Sequence, residues 1–422
     1  MLNSSPLIFK IIMIKTDICI IGAGPAGMMA AIAAATDSKK IIVFESNTTA
    51  GRKLLLTGRG RCNLTHSGKP DEIIKAFKPF ERFVRHCIYE FSVQKLCDFF
   101  AARGLDTIEE SDGCLFPNTQ SSSDVKRILI EELDAHEVKM LCGSPVTSIK
   151  KEEDVFTVHS EKFTISAKAV IIATGGVSWP QTGSTGDGYM FASELGHKII
   201  EPVAAIVPLI AAEKFCRGLA GLGIPKVSIS CKIDGKKISA AGALIFTHSG
   251  IGGPAVFDLS RDIAGLLSSN YKVFIDFLPD IKPDELDRKF TELFSAEAKR
   301  NIVPILSHFL PKALLHIICR ENDIPEIEAG QINKTLRKKL VEKLKNYPLT
   351  IISAQDIERA TVTRGGVDIS QIDSKTMQSK ILPGLFFAGE VINVDGPCGG
   401  YNLQFAFSSG FLAGKSAAKV LE

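Results

Sequence analysis

Three glycines and one distant acid in this chain have the spacing of a nucleotide site. Residues 19–45 read CIIGAGPAGMMAAIAAATDSKKIIVFE: an apolar run, a turn with Gly22, Gly24 and Gly27, an alanine-rich stretch, a second apolar run from Ile41 to Phe44, and Glu45. Each position answers a physical need. Gly22 permits a tight strand-to-helix turn, Gly24 clears a side chain from where a pyrophosphate must approach backbone, and Gly27 lets the helix pack closely on the sheet. The helix start then offers N–H groups and the positive end of its dipole to phosphate. Glu45, 18 residues beyond Gly27, can accept hydrogen bonds from a ribose 2′-OH, which favours FAD or NAD over NADP and leaves those two open.

Further glycine turns belong to the same chemistry. The run AVIIA at 169–173 is a buried strand that opens into ATGGVSWPQTGSTGDGYM. Strands of an open α/β sheet present ligands at their carboxyl ends, so this turn should meet the same cofactor as the first. Near the C-terminus, Gly389 and Glu390 follow an apolar strand, as such pairs do where a ribityl chain is bound. Gly399 and Gly400 precede Tyr401, Asn402, Leu403 and Gln404 at the start of the last helix. N–H groups there suit the negative charge that a reduced flavin carries near N1 and its C2 carbonyl. A ribityl chain and a tightly held ring are needs of a resident FAD, so these turns tip the balance to FAD.

Side chains for proton handling are sparse. His248, in THSGIGGP, is the candidate for protonating or orienting a substrate, because imidazole titrates near neutral pH, with a turn or helix cap as its alternative. Arg364, in VTRGGV, is a candidate for a substrate carboxylate or for an ion pair. Cys398, with no second cysteine near it in sequence, reads as packing rather than redox.

The elements that must position these groups follow from periodicity. Residues 71–104 carry helical apolar spacing through Phe77, Phe80, Phe83, Val84, Phe91, Leu96, Phe99 and Phe100, and stop at Gly104. Ser123 is an N-cap for a helix through Leu133. Alternating segments at 146–149, 155–158 and 163–165 predict a small antiparallel sheet covering the nucleotide domain, and a short helix from Tyr189 to Leu195 stops at Gly196. Around residue 200 the texture turns to strands, with an Asp-Gly hairpin at Asp234 and Gly235. From Pro283 to Asn346 it becomes charged and helical, with Phe290, Leu293, Phe294, Leu314, Leu315 and Ile318 inward. After residue 350 nucleotide-domain character returns, with a strand at 384–388 and a small-residue last helix. The expectation is an α/β chain whose Rossmann-type FAD-binding domain comes in two parts, 1–196 and 349–422. They bracket an insertion with a β-rich part, 197–280, and a helical part, 281–348.

Composition narrows the partners. Lys plus Arg (50) nearly balance Asp plus Glu (47), for a formal charge of +3, which gives no footprint for nucleic acid or an anionic membrane. A small-molecule substrate is expected, and the cluster Lys334, Arg337, Lys338, Lys339, Lys343 and Lys345 reads as a solvated helix face. Ten cysteines without a C-x-x-C pair write neither a zinc ribbon nor a dithiol motif, and they fit reduced thiols in a cytoplasmic protein. The leading MLNSSPLIFKIIMIK is broken by Lys10, too short to cross a bilayer, and lacks a small-residue cleavage site. One full fingerprint leaves no dedicated NAD(P)H domain, so NAD(P)H is expected only as a transient co-substrate that reacts over the flavin. Oligomeric state has no signature in the sequence.

The chain resembles, nearly end to end, the bacterial aminoacetone oxidase-like, NAD(P)/FAD-dependent flavoproteins. The resemblance is carried in order by GAGPAGMMAA (22–31), GRKLLLTGRGRCNLT (51–65), ATGGVSWPQTGSTGDGY (173–189), LIFTHSGIGGPAVFDLS (244–260), VTRGGVDI (362–369), TMQSK (376–380) and GLFFAGEVINVDGPCGGYNLQFAFSSG (384–410). It implies non-covalent FAD and an insertion made of a β-barrel-like part and a helical part. It puts Gly22, Gly24, Pro25, Ala26, Gly27 and Glu45 on the ADP half, and Arg52, Lys53, Gly60, Arg61 and Asn63 in the loop against the flavin side. Val146, Thr174, Gly175, Gly176, Gly389, Glu390, Gly400, Tyr401, Asn402 and Leu403 would line the rest. Two positions depart from the family's pattern: Arg59 and His66 stand where Asn is usual. The expected reaction is hydride transfer between a small amine or carbonyl/enone compound and flavin N5, with NAD(P)H or dioxygen closing the cycle. Alternatives are a carbon–carbon double-bond reductase of the fumarate reductase and ketosteroid dehydrogenase type, and a non-catalytic flavin sensor.

Overall fold

The computed structural model describes residues 12–35, 39–233, 235–265 and 270–421. Most of the leading segment and Asp234 of the expected hairpin lie outside them. The described residues form two compact units, one up to Val203 and again from Val362, the other from Ala204 to Thr361.

The first unit is built on a seven-stranded sheet. Five of its strands are parallel: Lys139–Leu141, Ile41–Phe44, Ile12–Ile21, Phe163–Ile172 and Leu385–Phe387. Their apolar runs are buried on both faces, as parallel strands covered by helices must be. Parallel strands all end on one edge, and here the exits interlock. Glu45 N–H donates to the Leu141 carbonyl (3.1 Å), Gly22 N–H to Phe44 (2.8 Å), Ala173 N–H to Ile21 (2.8 Å) and Ala388 N–H to Ile172 (3.0 Å). The glycine turns at 22, 174–176 and 389 therefore share one carboxyl rim, the place where open α/β sheets bind ligands.

Two helices cover the centre of this sheet, Pro25–Ala35 and the last helix, Tyr401–Val420. Gly410 and Gly414 set their approach: a Cβ on either would collide with the carbonyl of Ala26 or Ala30. The helical stretch at 71–104 is three helices, Pro70–Ala76, Glu81–Glu90 and Val93–Ala101. Pro79 and Ser92 stand at the breaks, the first because proline lacks an N–H and clashes in a helix interior, the second because its hydroxyl caps the next helix by accepting from Lys95 N–H. The helix expected from Ser123 runs Ser122–Ala135. The expected separate sheet at 146–165 is instead an antiparallel extension of the main one. Val146–Glu152 pairs with Val155–Ser160, which pairs with the first half of Phe163–Ile172. One ten-residue strand thus carries both textures, half-exposed at its start and buried at its end.

The second unit contains a closed six-stranded barrel in the order Leu209–Ala211, Gly250–Gly252, Lys236–Phe246, Gly223–Ile233, Tyr271–Asp276 and Tyr347–Ala354. The charged stretch folds as Pro283–Ala296, Ile302–Leu306, Lys312–Glu321 and Lys334–Lys345. These helices share one hydrophobic core with the barrel. The strand Tyr347–Ala354 closes the barrel, so the return to the first unit comes at Val362.

Candidate functional site

The fingerprint turn separates its three glycines by what each lacks a side chain for. Gly22 has φ +102°, and a Cβ there would lie 2.5 Å from the Ala173 carbonyl oxygen; a Cβ on Gly27 would collide with the Gly22 carbonyl. Gly24 differs from both. It has no left-handed φ, and a Cβ built on it meets nothing within 4 Å. Neither the backbone nor the packing of the chain demands glycine at 24, and the second glycine of such a turn is where a pyrophosphate approaches the backbone in dinucleotide-binding folds. The helix that follows starts at Pro25, whose missing N–H is not needed at that position, and its first-turn N–H groups have no carbonyl one turn back. A phosphate group fits this cradle.

Glu45 is buried beside the same turn. Its Oε2 accepts from Ala23 N–H (3.0 Å), and its Oε1 accepts from the Asn47 N–H (2.8 Å) and side-chain amide (2.7 Å). The Asn47 amide also donates to the Thr182 carbonyl (3.0 Å), and Arg52 donates to its oxygen (2.7 Å). Arg52 thus acts on the acid through Asn47, and Glu45 Oε2 keeps acceptor capacity for a ribose hydroxyl. Val146 is buried at the start of its strand, paired with Ser160.

At the other end of the rim, polar side chains meet one another. Lys53 Nζ donates to Glu390 Oε2 (2.7 Å) and to Ser178 Oγ (2.7 Å), while Glu390 Oε1 accepts from Thr363 N–H (2.8 Å) and Ser178 Oγ–H (3.2 Å). Burial pushes the Glu390 pKa up, but the Lys53 ammonium and these hydrogen bonds outweigh it and hold the carboxyl below its usual range. Thr174 turns its hydroxyl toward Gly188, where a Cβ would collide with it, and Gly175 leaves room for Ser184, whose Oγ would stand 3.2 Å from a Cβ. A Cβ on Gly389 would press at 2.8 Å on that of Ala26.

The loop 51–66 and the start of the last helix are also joined. Gly400 has φ +93°, and a Cβ on it would collide with the Thr65 carbonyl. Asn63, with its amide turned to satisfy both neighbours, donates to Thr65 O (2.9 Å) and accepts from Gly400 N–H (3.2 Å). His66 stacks on Tyr401, ring centroids 4.6 Å apart, with Nδ1 3.1 Å from the Gly399 carbonyl. The Asn402 side chain pins the preceding loop by accepting from Gly396 N–H (2.8 Å) and donating to Gly396 O (3.0 Å). Its own cofactor contact, and that of Leu403, would therefore be through backbone N–H groups of the first helical turn. Arg61 is held by Glu110 (2.6 Å) and Gln120 (3.0 Å) above the Phe116 ring, and Gly60 is exposed at the loop's tip.

The two proton-handling candidates fall in different units. Arg364 lies on Val362–Val367 in the first, its Nε 3.7 Å from the buried Asp395 carboxylate. His248 is exposed in the second, in a turn that Thr247 closes by accepting from Gly250 N–H (3.0 Å). The imidazole is not what satisfies that turn. Three residues that sequence reasoning passed over matter as much as those it named. Asn47, Ser178 and Thr363 orient Glu45 and Glu390, and only their places two residues after an acid or inside glycine motifs mark them.

A parallel sheet with a glycine cradle, a buried acid at the next strand end and a second polar rim defines a Rossmann-type dinucleotide-binding protein. The chain belongs to the HI0933-like family, whose Rossmann-domain model matches residues 16–416. It is 31% identical over 95% of its length, and 98% of the relative's, to a 3-dehydro-bile acid delta(4,6)-reductase of Clostridium scindens. It is 32% identical, with the same coverages, to a ribosomal RNA dihydrouridine synthase of Haemophilus influenzae. In fold it is similar to a flavocytochrome c3 fumarate reductase (18% identity, TM-score 0.52, 96% of this chain and 78% of that one). It is also similar to a 3-ketosteroid-delta4-(5alpha)-dehydrogenase from Rhodococcus jostii RHA1 (14%, TM-score 0.51, 99% of both). Among the described residues no helix is long and apolar enough to cross a membrane.

Proposed function

We propose that the chain is an FAD-dependent reductase that saturates a carbon–carbon double bond conjugated to a carbonyl, with NAD(P)H as the transient hydride donor. Gly24 is the observation that carries the cofactor assignment, because a Cβ there meets nothing in the chain at the turn position where a dinucleotide's pyrophosphate approaches the backbone. When bound, the flavin supplies hydride acceptance and donation at its N5. The chain's own residues bind and orient: Gly22, Gly24 and Gly27 with the helix start hold the pyrophosphate, Glu45 takes the ribose, and the N-terminus of Tyr401–Val420 places positive dipole at the ring end.

The choice of bond rests on two of the near-full-length relatives. One is named for reducing delta(4,6) unsaturation in a 3-dehydro-bile acid and the other for making dihydrouridine. By ordinary chemistry both double bonds are conjugated to a ring carbonyl, which polarises the distant carbon to accept hydride. The near balance of 50 basic and 47 acidic residues supports a small molecule over RNA as the carrier of that bond, and ten free cysteines support a reducing cytoplasm. Arg364 is the cation proposed to orient the substrate's carbonyl or carboxylate.

The test is to purify the protein, record its visible spectrum, reduce it anaerobically with NADH or NADPH, and follow reoxidation by steroid enones, amines with dioxygen, and uridine-containing RNA. Fast reoxidation by an enone is the expected result. A chain without flavin that takes up no FAD sinks the proposal, turnover of amines alone replaces it with an oxidase, and dihydrouridine in RNA moves the same chemistry to a nucleic acid.

A further inference from the structure

Lys53 and Glu390 are 337 residues apart in sequence and 2.7 Å apart in the fold. Around them the hydrogen bonding is nearly complete. Lys53 spends two of its three N–H groups, on Glu390 and Ser178. Glu390 receives Lys53 on one oxygen and Thr363 N–H and Ser178 Oγ–H on the other. Thr363 Oγ1 in turn accepts from the N–H groups of Val177 (3.0 Å) and Ser178 (3.2 Å). Gly176 makes room for the group, since a Cβ there would lie 3.2 Å from the Glu390 carboxyl carbon. Four segments that end at or beside the carboxyl rim are tied at this point: the loop after Ile41–Phe44, the loop after Phe163–Ile172, the strand Val362–Val367, and the turn after Leu385–Phe387. The pair is not sealed. The Lys53 and Glu390 side chains keep 24% and 22% exposure, so it opens on one side.

Resting on the reading of a bound FAD, we propose that Lys53 and Glu390 work as one neutral positioning pair. It locks the four segments into the frame that receives the cofactor, and the Lys53 N–H left over and the remaining acceptor capacity of Glu390 Oε2 are what it offers to that cofactor. Removing one partner leaves an uncompensated, largely buried charge, which costs more than removing both. Two consequences separate this from a merely structural ion pair. The energetic effects of the two partners are strongly non-additive. The two single changes also shift the bound flavin's reduction potential in opposite directions, because a lone ammonium favours the electron-rich reduced form and a lone carboxylate opposes it.

The experiment uses the full chain as Lys53→Met, Lys53→Arg, Glu390→Gln and the double Lys53→Met/Glu390→Gln variants, with FAD as the probe. Affinity is read by flavin fluorescence and potential by dye-coupled reduction, with far-ultraviolet circular dichroism on each apoprotein. Each neutralising single change is expected to weaken FAD binding about tenfold or more, and the double change no more than the worse single. The potential should rise in Glu390→Gln and fall in Lys53→Met, and Lys53→Arg should restore both readouts to near the wild type. Wild-type affinity and potential in both neutralising variants, or strictly additive losses, would overturn the pairing. Wild-type protein that takes up no FAD overturns the flavoprotein reading itself and this inference with it, so the two failures are told apart by the wild-type control.

Discussion

A Cβ on Gly24 would meet nothing within 4 Å, whereas one on Gly389 would press on Ala26 and one on Gly400 would strike Thr65. Both ends of the carboxyl rim are rich in glycine, and Gly24 stands apart from the rest in why it is there. At Gly24 no atom of the chain fills the Cβ position, whereas at 389–402, as at Gly22 and Gly27, the chain fills it, with Lys53, Glu390, Asn63 and Asn402 meeting one another and the backbone. A glycine reserved for a ligand can be replaced with little harm to the empty protein, while a glycine reserved for packing cannot. That difference ranks the consequences of substitution.

Gly27→Ala should do the most damage, because its methyl would collide with the Gly22 carbonyl at the tightest point of the turn. Overpacking of this kind typically costs 1–3 kcal/mol, and about 3 kcal/mol is expected in urea denaturation of the apoprotein, together with loss of FAD uptake. Gly24→Ala is the sharper test of the comparison. The apoprotein should be as stable as the wild type or gain about 0.5 kcal/mol from a less flexible unfolded chain. FAD affinity should fall about 100-fold, equivalent to ~2.7 kcal/mol, as the methyl holds the phosphate off the backbone. An apoprotein destabilised as badly as Gly27→Ala, or one that binds FAD normally, would break the distinction.

What could be read beforehand divides along the same line. The fingerprint was legible because its parts are contiguous: a strand, a turn, a helix and an acid within 27 residues satisfy one ligand and one local geometry. The carboxyl rim was legible too, since each apolar run ends in glycine. The side-chain partners at the ring end were not, because Lys53 finds Glu390 and Thr65 finds Gln404 (2.6 Å) only after the sheet has brought distant turns together. Phe163–Ile172 departs from the expected separate sheet for a related reason: its first half alternates between buried and partly exposed beside an antiparallel neighbour and its second half is buried between parallel ones, so one strand reads as two. The start of the last segment was placed early because Tyr347–Ala354 is as apolar as a Rossmann strand, and only barrel closure decides where it belongs.

A middle-sized effect tests whether the fingerprint end is preorganised. Asn47 gives Glu45 two hydrogen bonds, one of them from its side chain, and hands Arg52 a place to dock. Asn47→Ala should weaken FAD binding about fivefold, the worth of one hydrogen bond near 1 kcal/mol, without moving the flavin's potential. A change in potential would mean that Asn47 reaches the ring end, and the two ends would no longer be separable by substitution.

The smallest effect belongs to the end that the chain fills for itself. His197 is buried behind Leu385–Phe387, edge-on to Phe387 at 4.9 Å. Nδ1 lies 3.2 Å from the Ala192 carbonyl and so carries the proton, and Nε2 accepts at 2.8 Å from Ser379, whose oxygen caps the N–H groups of Ile381 and Leu382. Burial lowers the imidazole's pKa below its ordinary value, with the Ala192 carbonyl opposing weakly. The folded chain therefore binds this proton less readily than the unfolded one, and the linkage has a definite sign: stability from neutral His197 is complete above the unfolded pKa near 6.5 and is lost as pH falls below it. Urea midpoints of the apoprotein between pH 7.5 and 5 should decline in the wild type and decline less in His197→Gln. FAD affinity normalised to folded protein should be the same in both, because this histidine serves the packing of a strand and not the cradle at Gly24. A difference in affinity between the two across that range would tie the filled end of the rim to the open one.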